Sequence, residues 1–510
     1  MRAVQALGLL AGFYLIAIGA LAAIVGFDLL VLSHLDSGSS FVALKLVGLS
    51  ILVAIPLVRG VFLVRRPKDE APPGISVTER QQPELWARVR GLAAQVGTRA
   101  PDEIRMIPAV NAAVSENPRF LGLVPGHRRM LIGVPLLLGL TEPQLDAVLA
   151  HELGHYSNRD TRLAGITVRG RQSLHTVVEH ARANGRGITA ALFTWYAKLY
   201  FRVSESVGRR QELAADLAAA RIAGRDHAAG ALRQVPALDA AYDYYLDRYA
   251  SAGWEAGLLP LAEEFYGGFR SMLSSPKRQQ ELDGIRQELP ARETTPYDSH
   301  PPMRERVAAL EALPADGRTV TGTERQAAAL VRDIDQLFAA VAATALSPKA
   351  AGKRPVGWDE LAAASGRASL VAACAVATQA ARSVWGRPLA GLTDLLDRVD
   401  QGRLDAFADA LPKSESAAKA TGRAAREFAR TAARNAVRPL VQLELLDTGR
   451  AAFVHSWDDS TQLRFGDPAL DDALTAALDA LVATPPDTAP LRAVLGAAAP
   501  RGFGPAPDVP

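Results

Sequence analysis

Thr141-Glu142-Pro143-Gln144-Leu145-Asp146-Ala147-Val148-Leu149-Ala150-His151-Glu152-Leu153-Gly154-His155 is the stretch on which the reading of this chain turns. Threonine followed three places on by glutamine has the form of a capping box, and proline early in the first turn fits a helix start. Leu145, Val148 and Leu149 then give the segment an apolar side at helical spacing. Imidazoles at i and i+4 of such a helix lie one above the other, so His151 and His155 can both aim at one metal ion. Zinc takes imidazole nitrogen and carboxylate oxygen in a tetrahedral shell, and a catalytic site leaves one position for water. Glu152 sits one residue round the helix, beside that water rather than on the metal. There it can take the water's proton and later hand it to a leaving amine.

Downstream, Glu212-Leu213-Ala214-Ala215-Asp216 offers the missing carboxylate. Glu212 is the natural third zinc ligand. Asp216, one turn on, shares its helix face and is placed to accept the outer N–H of a ligand histidine, which we pair as His151. Gly224 is expected to close this second ligand helix. The acid pair alone carries no weight, because helices commonly hold acids at that spacing; it counts only together with the histidine pair. His34, His127, His175, His180, His227 and His455 have no metal-type spacing and read as surface or packing residues.

The remaining composition narrows the class. At 510 residues the chain exceeds one ordinary domain, and its net charge of +3 gives no case for a nucleic-acid partner. Its single cysteine, Cys374, rules out an internal disulfide framework, fits a reducing compartment and reads as a small buried hydrophobe in an Ala-rich helix.

Ala3 to Phe27 carries no charge and is long enough to cross the ~30 Å hydrocarbon layer as a helix. A cleaved secretory signal is the competing reading, but no convincing small-residue site precedes Asp36. A second apolar run, Phe41 to Val64, holds Lys45 and Arg59 near its ends, about 21 Å apart along a helix, where both heads can reach an interface. Arg2 precedes the first run, and Arg59, Arg65, Arg66 and Lys68 close or follow the second. The loop Ser33 to Ser40 has no Lys or Arg. The positive-inside rule then places both termini, and everything after Val64, in the cytoplasm. The expected location is the cell membrane, multi-pass or single-pass.

The chain is expected to divide into an anchor (1–66), a Pro- and charge-rich linker (67–82), a catalytic domain (83–310), an Ala-rich helical region of unknown role (311–484) and a disordered Pro/Gly/Ala tail (485–510). Within the catalytic domain, Leu85, Val89, Leu92 and Val96 predict an amphipathic helix. Short β-type runs follow at EIRMIPAVNAAV, RFLGLV and MLIGVPLLLGL, with Pro125-Gly126-His127 as a turn. ITAALFTWYAKLY (Ile188 to Tyr200) is too short to span a bilayer alone, and AFVHSW-DDS-TQLRF predicts a hairpin.

With these motifs in place, the chain resembles the membrane-anchored gluzincins, the metallopeptidase family that includes the HtpX-like heat-shock proteases and the CAAX prenyl endopeptidases. The resemblance covers roughly Pro83 to Ala309. It rests on Asn111-Ala112-Ala113-Val114, on His151 to His155 continuing as Tyr-Ser-Asn-Arg-Asp160, on Arg209 with Glu212 and Asp216, and on His300-Pro301 ending in Arg306. It implies one zinc ion per chain held by His151, His155 and Glu212, with Glu152 as general base. It also implies an edge strand at Asn111, Ala112 and Ala113 on which a protein or peptide substrate pairs in extended form. Ala113 departs from the pattern, since an aromatic is common there. His300 is implied to help stabilise the oxyanion, against the plainer alternative of a helix-start histidine packing beside Pro301. Arg306, Asp160 and Arg209 read as structural.

The expected fold is α+β, mainly α, with N-terminal transmembrane helices, a zincin-type catalytic domain with a small β-sheet, and a helical C-terminal region. The expected function is hydrolysis of peptide bonds in unfolded or membrane proteins by a zinc-activated water, in the manner of quality control. The alternatives are a specific processing protease, or a membrane-tethered scaffold with a structural zinc site.

Overall fold

The computed structural model describes residues 2–33, 45, 50, 74–116, 126–156, 208–289, 301–458 and 461–496. These are mainly helical, with a four-stranded sheet and two pairs of short strands. The chain divides into two compact units, Met1–Tyr242 with Gln279–Ala345 and Asp243–Arg278 with Leu346–Pro510. The second unit thus takes in Asp243–Arg278, which the sequence reading had placed in the catalytic domain. The first runs on to Ala345 rather than ending near residue 310.

In the first unit, Arg2–Ser33 is one helix of 32 residues, α1, about 48 Å long at 1.5 Å per residue. Its described apolar side chains are largely in the open, Leu15 at 68% and Leu29 at 61%. The second apolar run at 41–64 and the segment 188–200 lie outside the described residues.

The sheet comprises β1 (Ile75–Val77), β2 (Glu103–Ile107), β3 (Ala112–Glu116) and β4 (Arg128–Gly133), in the order β1-β2-β4-β3. β2 and β4 run parallel with Ile104 opposite Met130, whereas β3 lies antiparallel on β4 with Val114 opposite Met130. Ile104, Met106, Met130 and Ile132 are fully buried at alternate positions, which is the period of two that fixes which face meets the core. The helix α2 (Pro83–Val96) buries Leu85, Val89 and Leu92 and stops at Gly97 in the left-handed conformation that a residue with a Cβ disfavours.

MLIGVPLLLGL is only partly a strand. β4 ends at Gly133, and Val134–Gly139 forms the short helix α3. Pro135 has no N–H to give a ladder and suits a helix's first turn. A Cβ on Gly133 would stand 2.0 Å from the Ala109 carbonyl, so that turn lies directly over the strand end.

α4 (Glu142–Gly154) carries the histidine pair. Its start is closed by the Thr141 N–H donating to Gln144 Oε1 at 3.0 Å, the return half of a capping box. The helix over residues 208–223 (α5) packs on it, and Gly224, with φ of 97°, ends α5 as expected. A Cβ on Gly154 would meet Ala215 Cα at 3.2 Å. Glycine on one helix and alanine on the other therefore allow a backbone approach that larger residues would prevent. Ala147, Ala219, Ala220 and Ala223 share a small-residue core with Val307 and Leu310 of helix α6 (Met303–Glu311).

In the second unit, helices Trp358–Trp385, Leu392–Asp400, Gly422–Asp447 and Ala469–Leu481 enclose a core with Phe407, Val437, Val441 and Leu474 at its centre. Trp358–Trp385 is, among the described residues, the one helix that passes as membrane-crossing by length and composition. Nevertheless Leu361, Cys374, Ala377 and Ala381 are buried within the unit. The expected hairpin forms as Ala451–Val454 against Gln462–Phe465.

Segment 243–278 joins this unit through aromatic packing: Tyr249 lies 5.2 Å from Trp457 and Tyr245 lies 5.9 Å from Trp358, centroid to centroid. From Pro485 the sequence reading expects a disordered tail, yet Ala489–Gly496 is a helix with Leu491 fully buried. Leu491, Val494 and Leu495 supply the apolar side that the Pro-rich composition obscured. Residues 497–510 lie outside the described residues.

Candidate metal centre

α4 and α5 bring three donor groups together. His151 Nε2 stands 3.2 Å from His155 Nε2 and 3.5 Å from Glu212 Oε2, and His155 Nε2 stands 3.6 Å from Glu212 Oε1. A tetrahedral zinc ion with ligand bonds of about 2.0–2.1 Å sets its ligand atoms about 3.3–3.4 Å apart. The spacing and the nitrogen-and-oxygen donor set therefore fit zinc, and the three residues form a group able to bind a metal.

Around the three donors lies a shell of buried charge. Asp216 Oδ1 is 2.9 Å from His151 Nδ1, so that nitrogen carries the proton and Nε2 is left to face the other donors. Arg306, on α6, grips Asp216 with two bonds, Nε to Oδ2 at 2.9 Å and an Nη to Oδ1 at 2.7 Å. Its other Nη lies 3.5 Å from Glu212 Oε2.

Burial alone would push the His151 imidazolium down. Hydrogen bonds to Asp216 and then Glu212 outweigh it and raise the group to about 9. For Asp216, burial works upward, and the bonds from Arg306 and His151 hold the carboxyl below its ordinary value. Arg306 is itself raised: burial opposes its charge, but the bonds and charge of Asp216, with the charges of Glu212 and Glu152, prevail. Arg306 and His151 thus stand between two buried carboxylates, Glu212 and Asp216.

Glu152 is half-buried and close enough to influence both His151 and Arg306. β3 packs against α4, and Asn111, Ala112 and Ala113 lie at and just before the start of that edge strand. Asn111 is exposed, while the two alanines are half-buried. His300 and Asp160 lie outside the described residues, and Arg209 forms an ion pair with Glu305 at 3.6 Å.

A model of peptidase family M48 matches residues 79–313. A protein named Protease HtpX homolog from Nostoc sp. strain PCC 7120 is 30% identical over 237 residues, 42% of this chain and 78% of that protein. This chain belongs to peptidase family M48. Another Protease HtpX homolog, from Thermococcus kodakarensis, is 30% identical over 176 residues, 31% of this chain and 58% of the relative. Protease HtpX homolog 1 of Streptomyces coelicolor is 32% identical over 180 residues, 31% of this chain and 56% of its own length. No solved structure matches the chain. Family membership makes the protein a metallopeptidase, and the resemblance read from the motifs holds on its HtpX-like side. The part of the second unit after Leu346 lies beyond the matched residues.

Two groups gain their meaning only from the structure. Arg306, expected to hold structure rather than touch substrate, does so by gripping Asp216, a contact no sequence spacing announces. Tyr156, quoted within the motif but given no role by the sequence, reaches the Val114 carbonyl with its hydroxyl at 2.7 Å.

Proposed function

We propose that this M48 chain is a membrane-anchored zinc endopeptidase that cuts extended segments of unfolded or membrane proteins, in the manner of quality control. The observation that carries this reading is the set of three donor atoms at tetrahedral spacing beside Glu152 on one capped helix. The exposed apolar side chains described on α1, such as Leu15 and Leu29, support the anchor, with the catalytic domain on the cytoplasmic side by the distribution of basic residues.

In this reading His151, His155 and Glu212 hold one zinc ion, which when bound supplies Lewis acidity to the attacking water and the scissile carbonyl. Glu152 takes a proton from the water as its oxygen joins the carbonyl carbon. It returns that proton to the departing amide nitrogen as the C–N bond breaks. Asp216 keeps the His151 proton on Nδ1, and Arg306 keeps Asp216 ionised and in place. His300 is assigned to the developing oxyanion, and Asn111, Ala112 and Ala113 to the substrate backbone.

The test compares the detergent-purified full chain with Glu152→Gln, both zinc-loaded, on β-casein as an unfolded substrate. Native cleavage, with kcat about 100- to 10,000-fold lower in a variant that still binds zinc, supports the reading. Zinc binding by both without cleavage by either overturns it in favour of a structural site.

A further inference from the structure

The hydrogen bonds around β4 determine which way the edge strand points its backbone. Gly133 N–H donates to the Asn111 carbonyl at 2.8 Å, so these two residues face each other across the β3–β4 ladder. Arg128 turns its N–H and C=O the other way, to Asp102, both at 2.7 Å. Bonding in an antiparallel pair alternates. In the observed register, Asn111, Ala113 and Ser115 therefore face β4, and Ala112, Val114 and Glu116 direct their backbone groups away from it. Among the described residues β3 is the edge of the sheet, so these are the groups an incoming strand would meet.

One of them is already engaged. Tyr156, the residue after His155, donates its hydroxyl to the Val114 carbonyl at 2.7 Å. The side chain is firmly held. Its ring lies under the buried Arg128 guanidinium, 4.8 Å from the centroid. Its own carbonyl accepts from Thr98 Oγ1 at 3.1 Å. Arg128 is fixed in turn by Glu116 Oε2 at 2.9 Å and Thr98 Oγ1 at 3.0 Å.

We propose that Tyr156 is a positioning residue that sets the register of the substrate on β3. By holding the Val114 carbonyl it ends the pairing surface there, leaving Ala112 as the outward residue whose N–H and C=O both receive the peptide. Because Tyr156 follows a metal ligand directly, the end of the pairing surface is tied to the same helix turn as the metal. Strand register moves in steps of two residues, so a stop at Val114 selects one alignment of scissile bond and metal over the next. This inference rests on the extended-substrate reading above.

The experiment compares full-length native protein with Tyr156→Phe on β-casein, mapping product termini by mass spectrometry. Losing the hydroxyl is expected to lower KM about two- to tenfold, the worth of one backbone hydrogen bond, and to add cleavage sites two residues from the native ones. A merely structural tyrosine would lower thermal stability without moving the cleavage map, and identical maps and KM overturn the proposal.

Hydrogen exchange in a Glu152→Gln background, with and without Tyr156→Phe, gives a readout independent of turnover. Bound β-casein should protect the Ala112 amide in both, and the Glu116 amide, beyond the Val114 carbonyl, only in the protein that also carries Tyr156→Phe. Equal protection in the two proteins, or none in either, overturns the proposal even where the native chain cleaves. Absence of cleavage with the expected protection pattern would instead count against the peptidase reading alone.

Discussion

Helix α4 carries an ionic cluster at each end, and the two are built differently. At the His151 end, the side chains of Asp216, Glu212 and Arg306 are only 4%, 6% and 7% exposed, and that of His151 12%. At the start of the helix, Arg88 reaches Glu142 at 2.5 Å and Asp146 at 3.1 Å, while Arg325 reaches Glu142 at 3.1 Å. Arg88 and Arg325 are 36% and 54% exposed. In the outer cluster the acids are largely enclosed but both arginines reach water, so the cations are screened and their pairs are worth less. Nothing screens the inner one, so removing a single partner strands a charge. So costly an arrangement of buried charge marks the inner cluster as the candidate functional one, without reference to any motif.

The largest effect that would break this contrast is at Arg306. Arg306→Met leaves two buried carboxylates, Asp216 and Glu212, facing the single positive charge of His151, and is expected to lose about 3–5 kcal/mol in denaturant unfolding of the metal-free protein. Zinc binding should weaken by about 10- to 100-fold. A variant as stable as the native chain would mean the inner cluster is no different from the outer. Adding Asp216→Asn to Arg306→Met should recover part of the loss, a non-additivity of about 1 kcal/mol or more in a double-mutant cycle.

Next comes Gly154→Ala, which forces α4 and α5 apart where a Cβ meets Ala215 Cα. We expect a loss of about 1–3 kcal/mol with a matching fall in zinc affinity, read by calorimetry. Stability lost with unchanged zinc affinity would show that the approach serves packing alone.

Smaller effects sharpen the outer side. Burial raises Asp146 to about 6, the charge of Arg88 working downward and that of Glu142 upward. The fold therefore favours the protonated form, and the stability this group contributes is complete below about pH 3.8 and lost as pH rises through about 6. Asp146→Asn should be more stable than native at pH 7.5 by about 1 kcal/mol, discounted for partial exposure, and equal to it near pH 4. A gain that persists at pH 4 would refute the titration. Smallest of all, Arg325→Ala should change the unfolding free energy by less than about 0.5 kcal/mol, with no effect on zinc.

The same contrast explains what could be read from the sequence. α4, its capping residues, the histidine pair and the stop at Gly224 are local signals, set by residues within a turn or two of one another, and they were legible. So was the hairpin before Phe465. Arg306 was not, because its meaning lies in contacts with residues ninety positions away. The helix after Gly133 was hidden by a run of leucines that suits strand and helix alike. Helix Ala489–Gly496 was masked by the prolines around it. The affiliation of 243–278 depends on Trp358 and Trp457, which no local pattern announces.

That affiliation has a consequence for how the protein is made. The second unit is discontinuous, and Tyr245 and Tyr249 leave the ribosome well before Trp358 and Trp457 exist to stack on them. During synthesis these rings stay uncovered, a window in which a nascent chain is open to aggregation or to chaperone capture. A chain cut after Ala345 would carry that exposure permanently. A peptidase fragment free of that exposure therefore requires removing Asp243–Arg278 together with the C-terminal residues, not the C-terminal residues alone.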